Sequence, residues 1–65
     1  MKLRRELAIL TVLGGDEAVE DRGLGVVRIA DLIGREKSQV SRTLKMLAES
    51  GFVDRDTATL QYRLG

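Results

Sequence analysis

Residues 26–45, VVRIADLIGREKSQVSRTLK, decide the fold of this chain. Helical patterning on both sides of Gly34 predicts two helices that meet at this glycine. Gly34 supplies the left-handed backbone angles that a tight turn requires. Ala30, four residues earlier, is small enough to let the helices approach closely, and Val40, six residues later, fills the angle between them. This spacing predicts a helix-turn-helix over about residues 26–46.

The second helix of this motif has a hydrophilic outer face. When Val40 points inward, several polar side chains point away from the core or flank that direction. They are Ser38, Gln39, Ser41, Arg42 and Lys45. Arg42 suits the O6 and N7 atoms of guanine, and Gln39 suits the N6 and N7 atoms of adenine. The face therefore predicts contacts with bases in the DNA major groove, although a polar helix face is often only solvated.

The segment before the motif begins with a predicted helix over Lys2 to Leu13. Its apolar stripe consists of Leu3, Leu7, Ile9, Leu10 and Leu13. Ala8 and Val12 fall on the opposite side, where we expect surface exposure, with a helix-helix dimer contact as the alternative. The pair Gly14-Gly15 ends the helix.

The acidic stretch Asp16 to Gly25 is predicted to be a loop, with a helical turn across residues 16–22 as the alternative. Val26 and Val27 indicate a short extended piece. The first helix of the motif then runs from about Arg28 to Ile33. Its inward residues are Ile29, Leu32 and Ile33.

The second helix of the motif is predicted over about residues 36–50, and Gly51 ends it. Its buried stripe consists of Val40, Leu44 and Leu47. Met46, beside the polar face, is interpreted as partly buried packing.

Two short strands follow this helix, one over residues 52–55 and one over residues 60–64. In the second, Leu60, Tyr62 and Leu64 alternate with polar residues, as in a half-buried strand. They form a hairpin, or wing, over about residues 52–64. The predicted fold class is mainly α with this small β-wing: a winged helix-turn-helix of three helices and a two- or three-stranded antiparallel sheet. The wing has two arginines, Arg55 and Arg63, that suit a phosphate or the minor groove, or that only protect a sheet edge.

Composition narrows the possible functions. The 65 residues allow a single domain over residues 1–65, and 43% hydrophobic with 32% charged residues fits a soluble globular chain. The absence of Cys and His excludes disulfides, thiolate or imidazole metal ligands and a Ser-His dyad, so no metal, catalytic residue or cofactor is expected. The net charge is +1, but residues 28–45 have five basic side chains against two acidic ones. No signal peptide or membrane span is apparent, which indicates a cytoplasmic protein.

Three runs of the sequence resemble the winged helix-turn-helix of bacterial regulators. They are Val27 to Gly34, Lys37 to Leu44, and Leu47 to Val53. The ending Tyr62-Arg63-Leu64-Gly65 is similar to the end of the IclR-type DNA-binding domain, and residues 7–15 fit its opening helix. The central motif is shared with MarR-type and related regulators, so the ending and the overall length favour the IclR type.

This resemblance implies a transcription factor that binds a double-stranded DNA operator. IclR-type proteins act as dimers or tetramers, so a homodimer is expected. Their amino-terminal winged domain binds DNA, and a larger carboxyl-terminal domain, absent from this chain, binds an effector. Carried over by position, the family's DNA contacts fall on Lys37, Ser38, Gln39, Ser41, Arg42 and Arg63. Lys45 is added to these predicted DNA contacts because it lies on the hydrophilic outer face of the second helix.

Two other functions compete with DNA binding. Winged helices also serve as protein-interaction modules in larger assemblies, and the modest net charge suits such a role. An interaction module would, however, show exposed apolar anchors on the outer face of the second helix. An enzyme is the weakest alternative, because Asp31 and Glu36 are the only carboxylates near the basic centre and a chain this small has little room to bury a substrate.

Overall fold

The structure, a computed structural model, describes residues 4–65. Within that range the chain forms four helices and two strands. They are α1 (Arg4–Leu13), α2 (Asp16–Asp21), α3 (Val26–Ile33), α4 (Lys37–Glu49), β1 (Val53–Arg55) and β2 (Tyr62–Leu64). The mainly helical winged helix-turn-helix is confirmed, with one helix more than the three predicted.

Every element contributes to one apolar core. Its buried members are Ile9, Leu13, Ala18, Leu24, Ile29, Ala30, Val40, Leu44, Leu47, Val53 and Tyr62. Helix α4 lies at the centre of the packing, because it contacts α1, α3 and β1. The predicted burial of Val40, Leu44 and Leu47 is confirmed, and so is that of Ala30.

The turn between α3 and α4 has the geometry that the sequence predicts. Gly34 ends α3 in the left-handed region, with φ 68° and ψ 36°. The backbone N–H of Arg35 donates to the carbonyl of Ala30 over 3.1 Å, which closes the end of α3. Helix α4 then begins at Lys37, and its exit direction is set by this short turn.

The predicted loop over residues 16–25 is wrong for its first part, which forms helix α2 and agrees with the alternative of a helical turn across residues 16–22. Asp16 and Glu17 occupy the first turn of α2, where the positive end of the helix dipole stabilises negatively charged side chains. Ala18 is buried in the core, so tertiary packing adds to this local preference. The helix ends where Arg22 adopts φ 60°.

The predicted extended piece at Val26 and Val27 is also wrong, because both residues belong to the first turn of α3. Gly25, the residue before α3, has an extended backbone, and its carbonyl accepts a hydrogen bond from the Ile29 N–H. It is therefore the N-cap of the helix. The strand-like contact occurs instead at Leu24, which forms an isolated antiparallel bridge with Tyr62.

Several apolar residues predicted to lie inward are exposed. Leu7 is 59% exposed, because Ile9 and Leu13 define the buried face of α1 and Leu7 lies on the other side. Leu32 of α3 is 42% exposed for the same reason, since Ile29 and Ala30 face the core. Conversely, Val12, predicted to be exposed, packs against the core. Leu3 lies outside the described residues.

The wing is shorter than predicted. Strands β1 and β2 pair in antiparallel register, with Val53 opposite Leu64, Asp54 opposite Arg63 and Arg55 opposite Tyr62. Leu60 lies in the loop between them with φ 62° and is exposed, so the alternating pattern applies only from Tyr62 onward. Leu64 is also largely exposed.

Candidate nucleic-acid interface

Helix α4 presents a continuous polar face to solvent. Its exposed members are Lys37, Ser38, Ser41, Arg42 and Lys45, and we refer to them as the polar face. Gln39 is half-buried at its edge. The opposite side of the helix is fixed in the core by Val40 and Leu44, neither of which has exposed surface. The structure therefore brings the predicted side chains of α4 together on one rigid helix.

Thr43 connects the buried side of α4 to helix α1. Its Oγ1 donates a hydrogen bond of 3.0 Å to the carbonyl of Gln39. The same oxygen accepts a hydrogen bond of 3.4 Å from Nη1 of Arg5. Arg5 also lines an open cleft with Arg42 and Met46. The role of Arg5 could not be predicted from the sequence, because its contact joins residues 38 positions apart.

The two wing arginines lie on different faces of the hairpin. Arg55 is opposite Tyr62, and cross-strand partners share a face. It lines a cleft of about 510 Å³ together with Ser41 and Lys45 of the polar face. Arg63, paired with Asp54, lies on the other face and lines a separate cavity with Arg22, beside α1 and α2. The structure thus places Arg55 next to the polar face and Arg63 apart from it.

This arrangement agrees with a comparison against known proteins. The sequence model of the IclR helix-turn-helix domain matches residues 3–57 of the chain. The chain belongs to the IclR helix-turn-helix domain family. The matched range ends in the wing loop, so it includes α1 to α4 and β1 of the described structure.

A curated relative gives this IclR-type domain a regulatory context. The chain is similar to the glycerol operon regulatory protein of Streptomyces coelicolor (strain ATCC BAA-471 / A3(2) / M145), with 38% identity over 63 residues. The match covers 97% of the chain but 23% of the relative, so the chain spans about a quarter of that protein's length. No solved structure matches the chain. The family and the relative support a DNA-binding domain of a transcriptional regulator.

The same comparison bears on catalysis, because the IclR helix-turn-helix family consists of DNA-binding domains of regulators and is not an enzyme family. Within residues 4–65, no three carboxylates are grouped closely enough to hold a metal ion. None of the helices in this range has both the length and the apolar character needed to cross a membrane.

One basic residue of the IclR-type motif is already neutralised by its neighbours. The Arg28 guanidinium donates to both carboxylate oxygens of Glu17, over 2.6 and 2.9 Å, and to Asp31 over 3.3 Å. These hydrogen bonds lower the pKa of Glu17 below its ordinary value of 4.5 and raise the pKa of Arg28. The basic side chains of the polar face, by contrast, form no ion pair with any described residue. Their charge is therefore open to a ligand.

The ion pair between α2 and α3 predicts a specific dependence of stability on pH. Since the pKa of Glu17 is lower in the folded than in the unfolded state, its contribution is present above pH 4.5 and is lost as the pH falls through the lowered value. We expect Glu17→Gln to reduce the free energy of unfolding slightly at neutral pH, because exposed ion pairs contribute little. The difference from the parent should disappear in acid. Urea denaturation at neutral and acidic pH measures this effect.

Glu20→Gln provides the control for this prediction. Glu20 is exposed on the same helix and forms no ion pair with a described residue. Its replacement should not reduce stability at neutral pH. A stability difference for Glu17→Gln that persists unchanged in acid would contradict the role given to the ion pair.

Proposed function

We propose that this chain is a sequence-specific, double-stranded DNA-binding domain of a bacterial transcriptional regulator, with residues 1–65 as one unit. In this proposal α4 is the recognition helix and enters the major groove. The observation that supports it is the polar face. Its basic side chains form no ion pair with a described residue, and the opposite side of the helix is buried in the core. Such a rigid helix can hold side chains in register with base edges.

Within the polar face, we assign different roles to different side chains. Ser38, Ser41 and Arg42 occupy the first half of the helix, which approaches the bases in a helix-turn-helix. Arg42 offers a planar fork that matches guanine. Lys37 and Lys45 are point charges and suit phosphates. Gln39 stays a predicted adenine contact at the edge of the face.

Arg63 stays a predicted wing contact. It lies on the outer face of the hairpin and lines a cavity to which no residue of the polar face contributes. The backbone N–H donors of Ala58 and Thr59 lower the pKa of Asp56, and the charge of Arg63 adds to this effect.

A homodimer forms part of the proposal. One recognition helix contacts few base pairs, and two linked helices on a two-part site combine their affinities. By analogy with the family, an effector-binding domain would follow the DNA-binding unit in a cytoplasmic regulator. The relative's name says that it regulates the glycerol operon, and its greater length leaves room for such a domain.

The experiment that tests this proposal starts from a pool of randomised DNA duplexes. The chain is used to select bound duplexes over several rounds, and the enriched sequence is then compared with a scrambled version in a salt series. We expect an enriched motif, tighter binding to it than to the scrambled duplex, and affinity for both that falls steeply with salt. Failure to bind either duplex at low salt would overturn DNA binding. Binding without enrichment would overturn sequence specificity.

One observation favours a second candidate function, a protein-interaction module. Leu7, Met46 and Phe52 are 59%, 46% and 59% exposed and line an apolar groove between α1 and the end of α4. Such exposed apolar groups are typical of partner contacts. The groove lies beside the polar face, and it has no basic residue in its lining. A partner in the groove would therefore leave the polar face free, so the two functions do not exclude each other. Failure to bind any duplex in the selection experiment would leave the interaction module as the remaining candidate.

A further inference from the structure

Helix α4 has one arginine from another element on each of its flanks. On the first flank, Arg5 of α1 lines a cleft with Arg42, Thr43 and Met46. On the second flank, Arg55 of β1 lines a cleft with Ser41, Lys45 and Ala48. Positions 42 and 46 lie on one side of the outward direction of the helix, and positions 41 and 48 lie on the other. The two clefts therefore border opposite edges of the polar face.

Arg5 is held in place by its contact with α4. Nη1 of Arg5 donates to Thr43 Oγ1 over 3.4 Å, and Nε is buried without a hydrogen-bond partner among the described residues. A guanidinium has five N–H donors, so most of them stay available. The half-buried stem thus fixes the position of a charged group that still has donors to offer an anion.

Arg55 is positioned by the register of the wing. Its place opposite Tyr62 directs it to the face of the hairpin that borders α4, and it forms no ion pair with a described residue. Neither of the carboxylates adjacent to it in the sequence pairs with it. Asp54 lies on the other face, and Asp56 accepts hydrogen bonds from the backbone of the wing loop.

The charges of the two clefts are alike. The first has Arg5 and Arg42 with one carboxylate, Glu6. The second has Lys45 and Arg55 with one carboxylate, Glu49. Each cleft therefore has two cations to one anion, which favours an anionic ligand at both.

The dimensions of B-DNA match an anionic ligand that reaches both clefts. An α-helix with its side chains is about 10–12 Å across, and the major groove of B-DNA is about 12 Å wide. A helix lying in this groove has one sugar-phosphate strand along each side. We propose that Arg5 and Arg55 are phosphate-binding residues, each of which contacts one of the two strands that border the groove. This inference rests on the proposed function and names two contacts that the sequence-based site lacks or leaves open.

The test measures how many phosphates the chain neutralises. Binding to a mixed-sequence DNA duplex is followed by fluorescence anisotropy over a salt series, and the slope of log K against log salt is determined. We expect Arg5→Gln and Arg55→Gln each to make the slope shallower by about 0.9, and the double variant by about twice as much, because each lost phosphate contact contributes about that amount. The preference for the selected sequence should change little, since phosphate contacts do not depend on sequence.

Two other variants make the result specific to these positions. Arg22→Gln removes the same charge at the end of α2, in a cavity to which no residue of the polar face contributes, and should leave the slope unchanged. Arg5→Lys retains the charge but not the guanidinium fork, so it should keep most of the slope. Circular dichroism of each variant establishes that the fold is retained.

The outcomes separate this inference from the proposed function. If the parent chain shows no salt-dependent binding, the proposed function fails and this inference fails with it. If the parent binds but the slope is unchanged in Arg5→Gln or in Arg55→Gln, the assignment of that arginine is overturned while DNA binding stands. If the salt slope becomes shallower in Arg63→Gln and not in Arg55→Gln, then Arg63 is the wing residue that contacts phosphate. This result would overturn the assignment of Arg55.

Discussion

Replacing Arg42 with Ala should remove much of the discrimination between the selected duplex and its scrambled version. We expect a loss of about 1–3 kcal/mol of specific binding free energy, or about 5- to 150-fold in affinity, because a bidentate contact with guanine is lost. Arg42 is exposed on the polar face of a helix that Val40 and Leu44 fix in the core. It is the single arginine of α4, so no other side chain of that helix offers a guanidinium fork. Binding to the scrambled duplex should weaken much less, through loss of one charge.

The measurement is a pair of titrations at one salt concentration, one with each duplex. Arg22→Ala is the matched control, since it removes an exposed arginine that lines no cleft with the polar face and should affect neither titration. Equal weakening on both duplexes would show that Arg42 contacts phosphate and not bases. The base contact would then have to come from Ser38, Gln39 or Ser41.

The sequence predicts the helix-turn-helix well because its signals are local. Ala30, Gly34 and Val40 lie within a few turns of each other, and each is required by the geometry of the same bend. The polar face follows directly, because the positions opposite Val40 are fixed once the helix exists. This local determination is why the α4 residues of the predicted site lie together in the structure.

Helix α2 is harder to predict from the sequence, because tertiary contacts supply most of its stability. Six residues are too few for a stable isolated helix. Burial of Ala18 and the hydrogen bonds from Arg28 to Glu17 hold it, and both depend on where α3 lies. The exposure of Leu7 likewise depends on which side of α1 faces the core. The apolar stripe of five residues is wide enough for α1 to bury either of two sides.

The flanking arginines show a similar limit for the candidate site. Arg5 reaches α4 only through a contact across 38 positions of the chain. For the wing, the strand pattern contains a usable signal: Tyr62 is buried, so its direct neighbour Arg63 must point to the other face. The position of Arg55, however, depends on the register of β1 against β2, which the sequence of the loop does not determine.

Leu44→Ala is expected to have the largest effect on stability, about 2–5 kcal/mol of unfolding free energy, because it leaves a cavity at the centre of the core. Leu44 has no exposed surface, and its helix packs against α1, α3 and β1. A domain of 65 residues has a total stability of about 3–10 kcal/mol, so this loss is a large part of it. Urea denaturation followed by circular dichroism measures the change.

Leu7→Ala is the control for this prediction, since it removes the same side-chain atoms from a residue that is 59% exposed. It should cost much less than Leu44→Ala, and comparable losses would contradict the burial assigned to the two residues. The Leu44→Ala variant should also lose DNA binding in proportion to its unfolded fraction, because the polar face exists only while the opposite side of α4 is packed. A fully unfolded variant that still selected the same DNA motif would show that the proposed recognition does not depend on the docked helix.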